Sequence, residues 1–477
     1  MKHSIPRPKK MIATNKTVPA AFSAKHFDPV FEPAVRVFTS YAQRVFKEGF
    51  NTDHTFTLVS ESGMGDGYRI SIGEKTVLTA SNNTGMNYAL ATLLQLAEMT
   101  EEGIVFPVCE IEDAPDNKWR GVMLDLARCY HEKEFLFAVA DLCWFYKISR
   151  FQLHLSDDQG IRFPFEVLPK AVSEEHYSKQ ELSALVEYCR DRGIVLVPEI
   201  DAPGHFQAFN TAYPELFEVS STTTRTPEEG ATSIMRMEES VFDYLREMYQ
   251  ELAQVFVDSP WIHIGGDEAN IEKWSTCPIS EAYRKAHGLA DVQQLYGHCV
   301  ARQAQMILDM GRIPAVWEGF GEQCNSMIPK ETLVFVWESM YQIAPSLLKD
   351  GFEIINSSWQ PLYIVAPTRM WSPDKILEWE KNIWEHWFDK SAAYGTPIIV
   401  PEDSLIAGGQ MCTWGDDMQP KQPYAPRMDM LQDEFANLRE RVPALAQKVW
   451  TSYEVPDKEA FKRDALLLDK MFINLFA

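Results

Sequence analysis

The sequence predicts an α/β protein in which a (β/α)8 (TIM) barrel over residues 116–477 follows a small α/β domain over residues 1–115. Three observations predict it. From Arg120 onward, short apolar strands alternate with helical segments, eight such strands can be marked, and most of them begin apolar and finish on a polar or aromatic side chain.

The N-terminal unit has a different rhythm. YRISIG (68–73) and KTVLTAS (75–81) alternate as the two arms of a hairpin. NYALATLLQLAEM (87–99) has helical apolar spacing, and VCEIEDAP carries a strand to a proline stop. The glycines of GMGDG (63–67) lack the strand-loop-helix setting of a phosphate cradle and read instead as a hairpin turn.

The barrel strands, in order, are RGVMLDLA (120–127), RFQLHLSDD (150–158), IVLVPEID (194–201), WIHIGGDE (261–268), IPAVWEG (313–319), TLVFVWES (332–339), FEIINSSW (352–359) and IAGGQMCTW (406–414). Between them, SKQELSALVEYCRDRG (178–193) opens with Ser178 and Glu181 at capping-box spacing and closes on Gly193. Segments 134–147, 240–257 and 293–311 share its helical periodicity. Parallel strands with right-handed crossovers gather their C-terminal ends on one face. Asp157, Asp201, Asp267, Glu268, Trp317, Glu318, Trp337, Glu338, Trp359, Trp414 and Asp416 are therefore expected around one pocket.

Composition narrows the partners. The chain has 477 residues, 45% hydrophobic and 24% charged, and a formal net charge of -23. Such a charge repels nucleic acid backbones and anionic membrane surfaces, so neither is an expected partner. No run is long enough to span a bilayer and no secretory apolar stretch is present, which predicts a soluble, cytoplasmic protein. The eight cysteines show no CxxC or zinc-like spacing and read as reduced core thiols. The sequence carries no signature of an oligomeric state.

An acid-lined pocket with tryptophans at four strand ends suits a sugar, whose C–H faces stack on rings and whose hydroxyls take charged hydrogen bonds. His154, Asp157, Asp158, Asp201, His205, His263 and Asp267 could serve a metal-dependent hydrolase, but the chain has no HxH or HExxH pair. No metal or organic cofactor is expected. In WIHIGGDEANIEKW, two adjacent carboxylates, Asp267 and Glu268, follow two glycines. Neighbours on an extended chain point apart, so they suit two different atoms of one substrate.

KWRGVMLDLAR, FQLHLSDDQGIR, VPEIDAPGH, HIGGDE and GGQMCTWGDD, in this order, resemble glycoside hydrolase family 20, the β-N-acetylhexosaminidases, over about residues 80–450. The resemblance implies an exo-acting enzyme that removes terminal β-linked GlcNAc or GalNAc with retention, the substrate's own 2-acetamido group being the nucleophile. It implies Glu268 as general acid and base, Asp267 as the residue orienting the acetamido group, and Tyr363 as donor to the acetamido carbonyl. It also implies Arg120 and Asp416 as ligands of ring hydroxyls, Asp157 and His205 as a pair linked to the acid/base, and Trp317, Trp337 and Trp414 as aromatic walls. The charge of Asp267 is expected to help Glu268 hold its proton.

Two departures lie on the side that would read C4 and C6: Val365 stands where many members have aspartate, and Asp416 where glutamate is common. The tryptophan-rich segment 371–387 either replaces those contacts or packs a long loop. The alternative to an enzyme is a catalytically inactive carbohydrate-binding barrel, which would have no use for a proton donor.

Overall fold

A computed structural model describes residues 4–219, 233–416, 428–452 and 455–476. The first unit is a seven-stranded sheet flanked by two helices. Its main elements are β1 (Lys10–Pro19), α1 (Glu32–Phe46), β2 (Thr55–Ser60), β3 (Tyr68–Ile72), β4 (Thr76–Ala80), α2 (Asn83–Leu96) and β5 (Gly103–Asp113). β3 and β4 form the expected hairpin, in register from Tyr68 against Ala80 to Ile72 against Thr76. GMGDG is not a hairpin turn: it joins β2 to β3, and β4 lies between those two strands in the sheet. Gly63 and Gly65 take positive φ there, which suits a connection that must reverse and skip a strand. β1 left no signal in the sequence because it is an edge strand whose side chains are mostly exposed, so no apolar alternation is required of it.

All eight predicted barrel strands form: β6 (Trp119–Asp125), β7 (Arg150–His154), β8 (Val195–Glu199), β9 (Trp261–His263), β10 (Ile313–Trp317), β11 (Leu333–Val336), β12 (Ile354–Asn356) and β13 (Ile406–Thr413). They pair in parallel in that order, and β13 pairs with β6 to close the ring. The strands are shorter than read because their last residues leave the ladder to point into the mouth. The predicted helices include α3 (Lys133–Phe145) and α4 (Lys179–Asp191), the latter with both halves of the Ser178/Glu181 capping box in place. No described helix is long and apolar enough to cross a membrane.

The barrel interior is a packed, partly polar column. Trp119 donates to Gln410 (3.0 Å), Gln410 to Gln152 (2.9 Å) and Gln152 to Glu199 (2.8 Å). Register puts Glu199 level with His154 on one side and His263 on the other, and both imidazoles reach its carboxylate, at 3.0 and 3.2 Å. The amides and the Glu199 carboxylate satisfy one another along the column, which is the condition for keeping such groups in a core.

Arg120 is the main correction to the sequence reading. It lies near the start of β6, at the face opposite the mouth, buried against Tyr88 of α2. Its guanidinium donates to the carbonyls of Lys147 (3.1 Å) and Asn117 (2.7 Å) and to the Tyr88 hydroxyl, and packs on the rings of Tyr88 and Trp450. It binds two parts of the fold together rather than a sugar. Arg120→Met is therefore expected to lower stability by roughly 3 kcal/mol, seen as a fall of several degrees in Tm, with KM unchanged in the folded enzyme. A raised KM with unchanged melting would return Arg120 to the substrate.

Candidate active site

The C-terminal strand ends surround a cavity of about 340 Å³. Its acidic side carries Asp267, Glu268 and Asp416, its aromatic side Trp337, Trp359, Tyr363 and Trp414, and its basic groups are Arg128 and Arg369. Tyr363 stacks almost parallel on Trp337 (6.1 Å, 7°), Trp359 stacks on Trp337 from its own side (5.9 Å, 27°), and Trp414 leans against Tyr363 (5.9 Å, 47°). Trp317 is not in this wall. It sits a layer deeper, 6.0 Å from Trp414, with its indole N–H on Glu199 (2.5 Å).

The paired acids owe their placement to the backbone before them. Gly265 and Gly266 have φ of 69° and 91°, and Glu268 itself is held at 45°. A Cβ on Gly265 would lie 1.7 Å from Asp201 Oδ1, and the Gly266 N–H donates to that oxygen at 3.0 Å. Gly265 thus makes room for the Asp201 carboxyl, and Gly266, where a Cβ would lie 2.6 Å from Val316 Cγ2, for the barrel wall, rather than either for the sugar. The left-handed turn then sends Asp267 inward, buried, and Glu268 outward, with a side chain 49% exposed.

Asp267 is fixed from behind. Burial, then the charge of Asp267, holds Asp201 well above the usual carboxylate range, and burial, with Glu268, raises Asp267. The two carboxyls share a hydrogen bond, so one proton serves both. Asp267 Oδ1 is buried with no hydrogen-bond partner. Asp201 carried a sequence signal, as a strand-end acid, but not this role.

Glu268 belongs to a second network. His154 Nε2 meets Asp157 Oδ2 at 3.0 Å, His205 Nδ1 meets Asp157 Oδ1 at 3.2 Å, and His205 Nε2 lies 3.4 Å from Glu268 Oε2. His205, like Glu268, has a left-handed backbone, with φ of 51°. Burial disfavours the imidazolium of His205, but Asp157, Asp267 and Glu268 outweigh it and hold its pKa well above the usual value. The hydrogen bond from His205 in turn lowers the pKa of Glu268. Here the sequence reading is corrected: the two opposite shifts favour the proton on His205, and Asp267 does not keep it on Glu268.

Further carboxyls support the wall. Glu318 accepts five backbone N–H groups, from Glu338 through Gln342, at 2.8–3.3 Å, and so fixes the loop that follows Trp337. Burial raises Glu318 to about 7 in spite of those donors. Glu338 is pushed up to about 8 by burial and by the charges of Glu268, Glu318 and Asp267.

Arg128 is the arginine that reaches the cavity. It pairs with Asp125 (3.1 Å), Asp157 (2.9 Å) and Asp416 (3.7 Å) and lies over the Trp414 ring. It follows the end of β6, where the strand-end rule would have found it, whereas Arg120 precedes the strand's middle. Segment 371–387 is packing: Trp379 abuts Gly409, Trp384 donates to the Val336 carbonyl, and Glu385 pairs with Lys375 (2.6 Å). None of these three lines the cavity. Among the described residues three groups of potential metal ligands, His154/Glu199/Asp201, Asp157/Asp158/His205 and Asp201/His205/Asp267, each bring their ligand atoms within 4.8 Å of one another, but these side chains are engaged in the networks above, Asp158 by the Gln207 N–H and the Ser233 hydroxyl, and a cation would have to displace those contacts.

Comparison with known proteins agrees with this geometry. Residues 117–452 match the model of the glycosyl hydrolase family 20 catalytic domain, and residues 34–114 match that family's domain 2. A beta-hexosaminidase of Akkermansia muciniphila is 30% identical over 426 residues, covering 83% of this chain and 82% of its own. The alpha subunit of Rattus norvegicus beta-hexosaminidase is 25% identical over 414 residues, covering 83% and 73%. Among solved structures, a Vibrio harveyi exo β-N-acetylglucosaminidase in complex with N-acetylglucosamine superposes with a TM-score of 0.81 at 21% identity, covering 100% of this chain and 78% of that one. A Bacteroides fragilis β-N-acetylhexosaminidase superposes at 0.76 and 21% identity, covering 98% and 94%. At these identities the structural likeness is one of fold.

Proposed function

The chain belongs to glycosyl hydrolase family 20, and from that premise we infer that it is an exo-acting β-N-acetylhexosaminidase, releasing terminal β-linked GlcNAc or GalNAc with retention. The observation that carries the reading is Asp267: a buried carboxylate with one unpartnered oxygen, on the wall of an aromatic-sided cavity, beside an acid that points elsewhere. Binding the acetamide N–H at Asp267 Oδ1 would satisfy that oxygen and turn the acetamide carbonyl towards the anomeric carbon. Tyr363, whose phenol burial keeps protonated, lines the same cavity and would donate to that carbonyl.

The carbonyl oxygen attacks the anomeric carbon, the glycosidic bond breaks as Glu268 protonates the leaving oxygen, and an oxazolinium ion results. Water, deprotonated by Glu268, then opens it with net retention. The proton that Glu268 needs lies 3.4 Å away on His205. A sugar covering the half-exposed Glu268 removes its water and raises its pKa, which draws that proton across. The substrate is a saccharide, and no nucleic acid, membrane or cofactor enters the reading. Eight buried, unpaired cysteines support a reducing, cytoplasmic setting.

The test is a paired assay of aryl β-GlcNAc, aryl β-GalNAc and aryl β-glucoside. Turnover of the first two, with the glucoside at least about 10³-fold slower, is expected if an intramolecular nucleophile contributes its usual advantage. Comparable turnover of the glucoside would reject participation by the acetamido group.

A further inference from the structure

We propose that the buried pair His131–Glu434 is a positioning device for the cavity wall: it sets how Arg128 and Trp414 stand to one another, and with it the affinity for the terminal sugar. The proposal rests on the hexosaminidase reading, because it concerns the same cavity, although neither residue of the pair lines it.

His131 lies between the end of β6 and α3, and Glu434 in the second turn of α5 (Met428–Trp450), the long helix that follows the last barrel strand. The two side chains are 0% and 1% exposed. His131 Nδ1 lies 2.8 Å from the Cys129 carbonyl and so carries a hydrogen, Nε2 lies 2.6 Å from Glu434 Oε2, and the Thr413 hydroxyl donates to Glu434 Oε1 at 2.7 Å. The pair thus joins three segments. His131 is itself held, by the Tyr177 hydroxyl on its carbonyl (2.6 Å) and by the Phe135 ring, 4.7 Å from the imidazole.

What the pair grips at each end gives it a role beyond packing. Cys129 directly follows Arg128, and Thr413 directly precedes Trp414. Successive side chains on a strand point to opposite faces, so a grip on the outward Thr413 hydroxyl fixes the inward Trp414 ring. At the other end, the bond to the Cys129 carbonyl fixes the backbone from which Arg128 springs. The two cavity residues meet there, the Arg128 guanidinium 5.0 Å from the Trp414 ring. A buried ionisable pair adds little stability over apolar side chains of the same volume, whereas it does hold one geometry. A misplacement of about 1 Å at a substrate site is enough to be felt in binding or rate.

The experiment measures kcat and KM for aryl β-GlcNAc, the inhibition constant of free GlcNAc, and Tm in three variants. Glu434→Leu removes both bonds, and is expected to raise KM and the inhibition constant together by about tenfold while kcat changes less than about threefold, because Glu268 and Asp267 are untouched. Glu434→Gln keeps an acceptor for Thr413 and a donor for His131, and should restore both constants to near native. Thr413→Val deletes one bond at constant volume; a rise of about threefold in both constants is expected, and it serves as the test if Glu434→Leu does not fold. Arg128→Lys should cost less on the Glu434→Leu background than in the native enzyme, since the two changes act on one contact. Native KM and inhibition constant in the folded variants, with only Tm lowered, would make the pair purely structural and overturn the proposal, as would a fall in kcat alone. Failure of the native enzyme on both aryl β-GlcNAc and aryl β-GalNAc would instead reject the hexosaminidase reading.

Discussion

Glu268→Gln is expected to lower kcat/KM for a natural glycoside by about 10²–10⁴-fold, the usual contribution of a positioned acid/base. The loss should shrink sharply for an aryl glycoside with an acidic phenol, whose departure needs no proton. KM should change little, because Glu268 is half-exposed at the rim and its expected role is proton transfer to the leaving oxygen. A loss independent of leaving group would remove the acid role. The pH profile offers a second check. In the free enzyme His205 and Glu268 share one proton across 3.4 Å, with the pKa of His205 raised and that of Glu268 lowered. Activity should therefore hold from below the ordinary carboxylate range to above the ordinary imidazole value of about 6.5, then fall as His205 deprotonates. Asp157 is a main support of the imidazolium. Asp157→Asn should accordingly move the alkaline limb to lower pH, and a limb that does not move would place the proton elsewhere.

Asp267→Asn is expected to cost about 10²–10³-fold in kcat, the scale for losing one preorganised electrostatic contact at the reacting centre. Here the loss should be alike for good and poor leaving groups, since it slows attack by the acetamide rather than departure of the aglycone. That difference separates two adjacent carboxylates by kinetics alone. Asp201 bears on the result, because it shares a hydrogen bond with Asp267 and is itself held protonated by burial and by the Asp267 charge. An asparagine at 267 removes that charge but keeps the shape, so the fold should survive and Tm should change little. A variant that retains full activity would show that the acetamide is oriented by Tyr363 and the aromatic wall without it.

Much of this protein was legible before any coordinates. The eight strands could be marked because both faces of a barrel strand are buried, which forces short apolar runs. The strand-end acids and tryptophans were found by the same periodicity, and Asp267, Glu268, Trp337, Trp359, Trp414 and Asp416 do share one cavity, with Tyr363, which only the family resemblance pointed to. Asp157 and His205 stand behind Glu268. Arg120 was misplaced because the motif around β6 holds two arginines, and only the direction of the strand tells which one reaches the mouth.

The sequence by itself determined the barrel, the order of its strands and the face on which the chemistry sits, since these follow from local burial and from the handedness of parallel crossovers. Tertiary structure alone decided three things. It put the resting proton on His205 rather than Glu268, because that balance depends on Asp157 and Asp267 reaching one imidazole from different strands. It gave the room made by Gly265 to Asp201, a residue 64 positions before it. And it joined His131 to Glu434 and Thr413 behind Arg128 and Trp414, a network brought together from distant segments, which no local pattern encodes.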